Sequence, residues 1–204
     1  VVYHKGESEK IFGKAFEIYD RSSYYLADKM SIWVCKDEQE MKDLFERQLK
    51  TLKTDYIDFY LVHSLNRNHY QKVKEFHCVE FLQEMKRQGK IKHLGFSFHD
   101  TYPVFTQILN DYDWDFVQIQ LNYLDWQNQG AEQLYRELEK RNLPCMVMEP
   151  VRGGYLATLD EQRAKPFLEM EPNSPMVKLK PGEAYEYEEI WTLREVNSIT
   201  DNTY

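Results

Sequence analysis

The chain predicts an α/β fold, its parallel strands wound as in a (β/α)8 TIM barrel of which about five strands are clear. Three observations predict it. Short apolar runs rich in aromatic and β-branched residues alternate at least four times with amphipathic helical stretches, joined by short connections, which is the pattern of βαβ units. Lys29, His63, Ser97, Asn122 and Glu149 each fall at or just past the end of a successive run. Polar residues converging from many strand ends onto one face are what a barrel gives. An open doubly wound sheet would gather them at one switch point and would usually follow its first strand with a Gly-rich phosphate loop. Here the Gly pair Gly153-Gly154 comes late and no such loop occurs.

Residues 8–19 read as a helix with Ile11, Phe12, Ala15, Phe16 and Tyr19 on one face and Ser8 as cap. After the turn Asp20–Ser23, Tyr24–Ala27 reads as a short strand ending in Asp28-Lys29-Met30. Asp37 caps a long helix, with Glu40 at the reciprocal position and Met41, Leu44, Phe45, Leu49 and Leu52 as its stripe. Tyr56–Ser64 is a strand apolar enough to be buried on both faces, broken only by Asp58. A helix over ~70–88, stopped by Gly89, carries Val73, Phe76, Val79, Phe81, Leu82 and Met85 mostly inward. The strand 91–98, a helix over 101–110 with Pro103 in its first turn, the strand 116–123, a helix over ~130–141 and the strand 146–148 complete the pattern. Residues 1–160 thus form a partial barrel. Residues 161–204 are a Pro-, acid- and aromatic-rich tail in which 177–191 pattern as a hairpin around Pro181-Gly182.

Composition narrows the function classes. The 204 residues carry a net charge of −8 with interspersed signs, which argues against nucleic acid and against a polybasic membrane patch. No apolar run approaches the ~20 residues of a membrane span, and the sequence shows no signal-peptide pattern. Three widely spaced cysteines, Cys35, Cys78 and Cys145, suit a reducing cytoplasm better than a disulfide framework, and no metal knuckle is present. His93 and His99 lack cysteine or carboxylate neighbours at ligand spacing, so no metal site is expected. His69 and His77 read as solvated helix residues, and Cys35 and Cys145 as small core residues.

Tyr3, Lys29 and His63 are the candidate chemistry. A phenol with a pKa near ~10 is a poor acid at neutral pH, a neighbouring ammonium favours its ionised form, and a histidine supplies a second polar partner. The segments that carry these residues resemble the aldo-keto reductase superfamily. Val2-Tyr3-His4-Lys5-Gly6-Glu7-Ser8-Glu9 with Gly13-Lys14-Ala15 is similar to its tyrosine segment, and Tyr24–Lys29 to its lysine strand. Tyr56–His63 is close to its histidine strand and Gly89–Ser97 to the strand after it. Val117–Tyr123 and Met148–Leu156 continue in the same order. The wording Phe96–His99 and Met148-Glu149-Pro150 is similar to the bacterial branch related to iron–sulfur-containing members.

The resemblance implies reduction of a small aldehyde or ketone by NADPH or NADH. Tyr3 would protonate the carbonyl oxygen, Lys29 would lower the pKa of Tyr3, and His63 would orient the carbonyl. Ser97 and Gln118 match positions that hold the nicotinamide carboxamide. Met148 stands where many members stack an aromatic ring on it, and Arg152, Gly153 and Gly154 lie in the loop along the pyrophosphate. Four further departures accompany this, the first being that the strand and helix that grip the adenosine end have no match after residue 160. The family's aspartate a few residues before the tyrosine is not among the residues of this sequence. Phe98 replaces an amide residue. The cysteine cluster of the iron–sulfur branch is absent, so no iron–sulfur site is expected. The competing reading is a truncated or partly ordered, non-catalytic reductase scaffold or binding domain. Oligomeric state and substrate have no signature in the sequence.

Overall fold

The computed structural model describes residues 2–156. Two compact units divide the chain, Val1–Met148 and Glu149–Tyr204. The expected hairpin at 177–191 and the boundary at 160 lie outside the described residues.

The first unit is a five-stranded sheet whose order, β1-β2-β3-β4-β5, is the order of the chain. The strands are β1 (Ala27–Met30), β2 (Ile57–Leu65), β3 (Ile91–Phe98), β4 (Phe116–Gln120) and β5 (Cys145–Met148). Every neighbouring pair is parallel. Each of β1 to β4 is followed by a helical segment that returns the chain to the start of the next strand, which is how successive βα units build a (β/α)8 barrel wall. The helices are α1 (Glu7–Ala15), α2 (Glu38–Leu52), α3 (Arg67–Glu75), α4 (Cys78–Arg87), α5 (Tyr102–Asp111), α6 (Tyr123–Asn128) and α7 (Ala131–Lys140).

Strand side chains alternate between two faces. Met30, Tyr60, Val62, Leu94, Phe96, Val117 and Ile119 face the helices and form the core with Phe45, Leu82, Phe105 and Leu138. Lys29, Leu61, Gly95 and Phe116 lie in register on the other face, the inside of the barrel wall. Gly95 is required there: a Cβ would stand 2.5 Å from the Phe116 carbonyl oxygen and 2.8 Å from its ring.

Capping follows the sequence closely at α2. Asp37 accepts from the Glu40 N–H at 2.8 Å, while Glu40 reaches one residue beyond the cap to accept from the Lys36 N–H at 2.9 Å. Gly89 ends α4 as expected: its N–H bonds the Lys86 carbonyl and the Lys90 N–H bonds the Met85 carbonyl, both at 2.9 Å, the Schellman pattern.

Four elements differ from expectation. The buried face of α1 is Glu9 and Gly13, while Ile11 and Phe12 are exposed. The contact is close and polar, so a hydrophobic pattern does not reveal it. The cap of α1 is Gly6 in the left-handed region, and Ser8 lies inside the helix. Strand β1 starts three residues later than expected, so Lys29 is a strand residue; Tyr24 instead stacks on Phe16 at 4.2 Å. The long helix over 70–88 is two helices, broken at His77, whose φ is 49°. At ~100° per residue, Val73 and Phe76 would fall on the side opposite Cys78, Leu82 and Met85 in one straight helix. The break lets both stripes face the sheet. Finally, β4 ends at Gln120, and Asn122 caps the unexpected α6, accepting from Leu124 and Asp125 N–H at 3.1 and 2.9 Å. Asn122 is thus spent on a helix start.

In the second unit, Glu149–Leu156 is a run of turns. Glu149, Arg152, Gly153 and Gly154 have φ of 56°, 48°, 64° and 93°. The Gly154 and Leu156 N–H groups both bond the Val151 carbonyl, at 3.0 and 3.2 Å. Among the described residues no helix is long and apolar enough to cross a membrane.

Candidate active site

Tyr3 belongs to the 3-10 turn Tyr3–Gly6 that leads into α1. This turn brings its hydroxyl to 3.2 Å from His63 Nε2, with the two rings stacked at 5.5 Å. His63 stands at a register shift of β2 against β3. There Ser64 takes a φ of 52°, an uncommon conformation for a residue with a Cβ. Three contacts hold it. The Ser64 N–H donates to Ser97 Oγ at 2.7 Å, His69 Nδ1 donates to the Ser64 carbonyl at 2.7 Å, and Trp33 packs between His69 and His63, 4.8 Å from each ring. His63, two residues after Leu61, shares its inner face by strand alternation, and the bulge follows at Ser64. The other ring nitrogen, Nδ1, lies 2.9 Å from Ser31 Oγ.

Lys29 shares this face. Its Nζ donates to Gln118 Oε1 at 2.7 Å and stands 6.0 Å from the centre of the Tyr3 ring. The backbone of Lys29 is fixed from behind: Gln48 of α2, fully buried, donates to the Lys29 carbonyl at 3.0 Å and to Glu9 Oε1 at 3.2 Å, while Tyr60 donates to Gln48 Oε1 at 2.5 Å.

The electrostatics differ from the expected tyrosine–lysine pair. Burial, and after it the Asp28 charge, raise the Tyr3 pKa, and the Lys29 ammonium is bonded to Gln118 rather than to the phenol. Burial lowers the Lys29 pKa against the pull of Asp28. Burial, followed by the Lys29 charge, takes His63 down to about 4. Near neutral pH the site therefore holds a protonated phenol, a neutral imidazole and one cation.

The expected nicotinamide positions divide. Ser97 is 0% exposed and spends its oxygen on the Ser64 N–H, so it braces the bulge. Gln118, in register between Ser97 and Met146, accepts from Lys29 on its oxygen, and among the described residues its amide nitrogen has no acceptor. Met148 pairs with Gln120 on the same face. Arg152, Gly153 and Gly154 lie in the second unit, where a Cβ at either glycine would meet nothing within 4 Å among the described residues. Within the first unit, Lys29 and Gln118 are polar groups that could hold a nicotinamide. No trio of His, Cys, Asp or Glu suited to a metal ion occurs among the described residues. His69, expected to be solvated, is half-buried on Trp33, whereas His77 is exposed beside Glu38.

The profile of the Aldo/keto reductase family matches residues 1–202. The chain belongs to the Aldo/keto reductase family. Solved structures agree in fold. An aldo/keto reductase from Brucella melitensis is 21% identical, with a TM-score of 0.57 over 71% of this chain and 54% of that one. One from Bacillus halodurans, in its holo form, is 25% identical, with 0.59 over 74% and 49%. One from Klebsiella pneumoniae, in complex with NADP and acetate, is 25% identical, with 0.62 over 77% and 53%. This family member thus spans about half the length of the solved relatives it matches. The comparison with curated proteins finds no match.

Sequence reasoning missed Ser31, Trp33 and Gln48. Ser31 was within reach, because it follows Lys29 at the strand period of two and therefore shares its face.

Proposed function

We propose that this chain carries the proton-donating half of a carbonyl reductase. It would take a small aldehyde or ketone and hydride from NADPH or NADH, with Tyr3, Lys29 and His63 as the catalytic residues. The observation that carries the reading is the Tyr3 hydroxyl 3.2 Å from a neutral His63, beside the Lys29 ammonium. When bound, the nicotinamide supplies the hydride; the chain's own groups supply position and the proton.

Tyr3 hands its hydroxyl proton to the carbonyl oxygen. His63, held by Ser31 and Trp33, fixes the phenol and offers the carbonyl a second polar contact. Lys29 holds positive charge near the phenolate that is left, and in a site partly shielded from water that charge counts for more than in solution. Gln118 and Met148 would hold the nicotinamide, with Ser97 acting through the bulge, and Arg152, Gly153 and Gly154 are the residues the family resemblance assigns to the pyrophosphate. The Klebsiella pneumoniae relatives in complex with NADPH and with NADP favour a nicotinamide cofactor of that class. The composition suits a cytoplasmic enzyme that binds neither nucleic acid nor membrane.

A second reading, a non-catalytic scaffold or binding domain, rests on one observation: among the described residues the outer edges of β1 and β5 pair with no further strand. NADPH titration followed by tryptophan fluorescence, then loss of cofactor absorbance with a generic aldehyde, separates the two. Tyr3→Phe should lower kcat about 10²–10⁴-fold and spare cofactor binding. Cofactor binding without any turnover by the parent chain would favour the scaffold.

A further inference from the structure

We propose that Ser31 is a positioning residue that sets the tautomer of His63, so that Nε2 carries the hydrogen and donates it to the Tyr3 oxygen. The inference rests on the reductase reading for its consequence, but not for its geometry.

A neutral imidazole has one N–H and one bare nitrogen, and its two neighbours decide which is which. His63 is neutral near pH 7, and its neighbours are Ser31 Oγ at Nδ1, 2.9 Å away, and the Tyr3 hydroxyl at Nε2, 3.2 Å away. Both are hydroxyls, and each can donate or accept. Burial breaks the tie. Ser31 is 1% exposed, and His63 Nδ1 is the only side-chain or backbone partner its hydroxyl has among the described residues. Were Nδ1 to donate to Ser31, the Ser31 hydrogen would be left without an acceptor away from water, at a cost of about 1–3 kcal/mol. Tyr3 is half exposed, so its hydrogen can reach other acceptors, water or a bound carbonyl, at no such cost. The favoured arrangement is therefore a one-way chain: Ser31 Oγ–H donates to Nδ1, and Nε2–H donates to Tyr3 Oη.

The direction of that chain matters for chemistry. It frees the Tyr3 hydrogen to point at a substrate oxygen instead of back at His63. It also places a donor on the phenol oxygen, which stabilises the phenolate that remains after the proton leaves. In this structure the Lys29 ammonium is bonded to Gln118, and the histidine, set by Ser31, takes over part of that task. The opposite tautomer would tie the phenol hydrogen to Nε2.

The test reads the tautomer directly, from imidazole nitrogen NMR shifts of isotope-labelled protein at pH 7, with the His63 signal assigned by its loss in His63→Gln. The wild-type chain should show hydrogen on Nε2, and Ser31→Thr, which keeps the hydroxyl, should preserve it. Ser31→Asp supplies an acceptor only and should move the hydrogen to Nδ1. A wild-type spectrum with hydrogen on Nδ1 overturns the proposal without any variant having to fold. So does a folded Ser31→Asp protein whose His63 keeps hydrogen on Nε2. With NADPH and an aldehyde, Ser31→Asp should lower kcat about 10²-fold while KM holds, and Ser31→Thr should keep the activity. If the wild-type chain shows no turnover but the tautomers behave as stated, the reductase reading falls and the role of Ser31 stands.

Discussion

Gln48, buried in α2, donates to the carbonyl oxygen of Lys29, 19 positions earlier in the chain. The same amide nitrogen reaches Glu9 of α1, and the amide oxygen accepts from Tyr60 of β2. One side chain thus ties together the helix that follows Tyr3, the strand that carries Lys29 and the strand that carries His63. Gln48→Leu should strand buried polar groups on those elements and cost about 3 kcal/mol in urea unfolding. Tyr60→Phe, which leaves only the Gln48 oxygen short of a partner, should cost less. Equal costs would mean that the network is not centred on Gln48.

Gly13 docks α1 against α2 so closely that a Cβ would lie 2.1 Å from the Thr51 carbonyl oxygen. Backbone oxygen cannot move aside as a side chain can, so Gly13→Ala should push α1 away and carry Tyr3 off His63. Amide exchange should quicken in α1 and stay slow in β2. Unchanged exchange in α1 would contradict this packing.

Arg21 folds over the start of the sheet. It bonds Asp58 at 2.5 Å, the Tyr24 and Tyr56 carbonyls at 2.9 and 3.1 Å and Thr54 at 2.9 Å, and lies over the Tyr56 ring. Asp58 is 8% exposed and also accepts from the Leu26 N–H. Arg21→Ala would leave that carboxylate buried and uncompensated, a loss of about 3–5 kcal/mol. Arg21→Ala combined with Asp58→Asn should recover part of it, measured as a higher urea midpoint than the single variant.

His63 and Asp28 set opposing pH slopes. Between its unfolded value of 6.5 and its folded value of about 4, His63 binds a proton only in the unfolded chain. Its contribution, about 3 kcal/mol, is present above 6.5 and is lost as pH falls through 4. Burial and the neighbouring Glu9 raise Asp28 from 3.8 to about 7, against the opposite pull of Lys29. In that window the folded chain holds a proton that the unfolded chain has released, so stability falls as pH rises. Together the two should give a nearly flat stability profile between pH 4.5 and 6.5. His63→Gln should expose a stability that declines with rising pH, and Asp28→Asn one that climbs. Parallel slopes in the two variants would contradict the assignment.

The periodic parts of this fold were legible because packing there is apolar. The α2 stripe, the strands β2 to β5 and the Gly89 stop follow from hydrophobic spacing and capping chemistry. What misled were places where polar atoms or backbone decide. The burial of Glu9 and Gly13 in α1 depends on a glutamine in another helix, and the strand Ala27–Met30 depends on Arg21 drawing Tyr24 and Tyr56 to itself. The helix break at His77 was readable in principle, from two stripes out of phase. For the site, Lys29 and His63 share the inner face and the Tyr3 hydroxyl reaches His63, but the direction of the Lys29 hydrogen bond and the part played by Ser97 are matters of register that one-dimensional spacing does not contain.

Among the described residues, each strand of the sheet pairs only with its chain neighbours. During synthesis from the N-terminus, such a wall can be laid down one unit at a time. Tyr3, Ser31 and His63 would already be able to meet once β2 has emerged, and the Ser97 brace arrives one unit later. The proton-handling corner would form before β3 to β5 have emerged, and those later units would dock onto a site whose first contacts are already made.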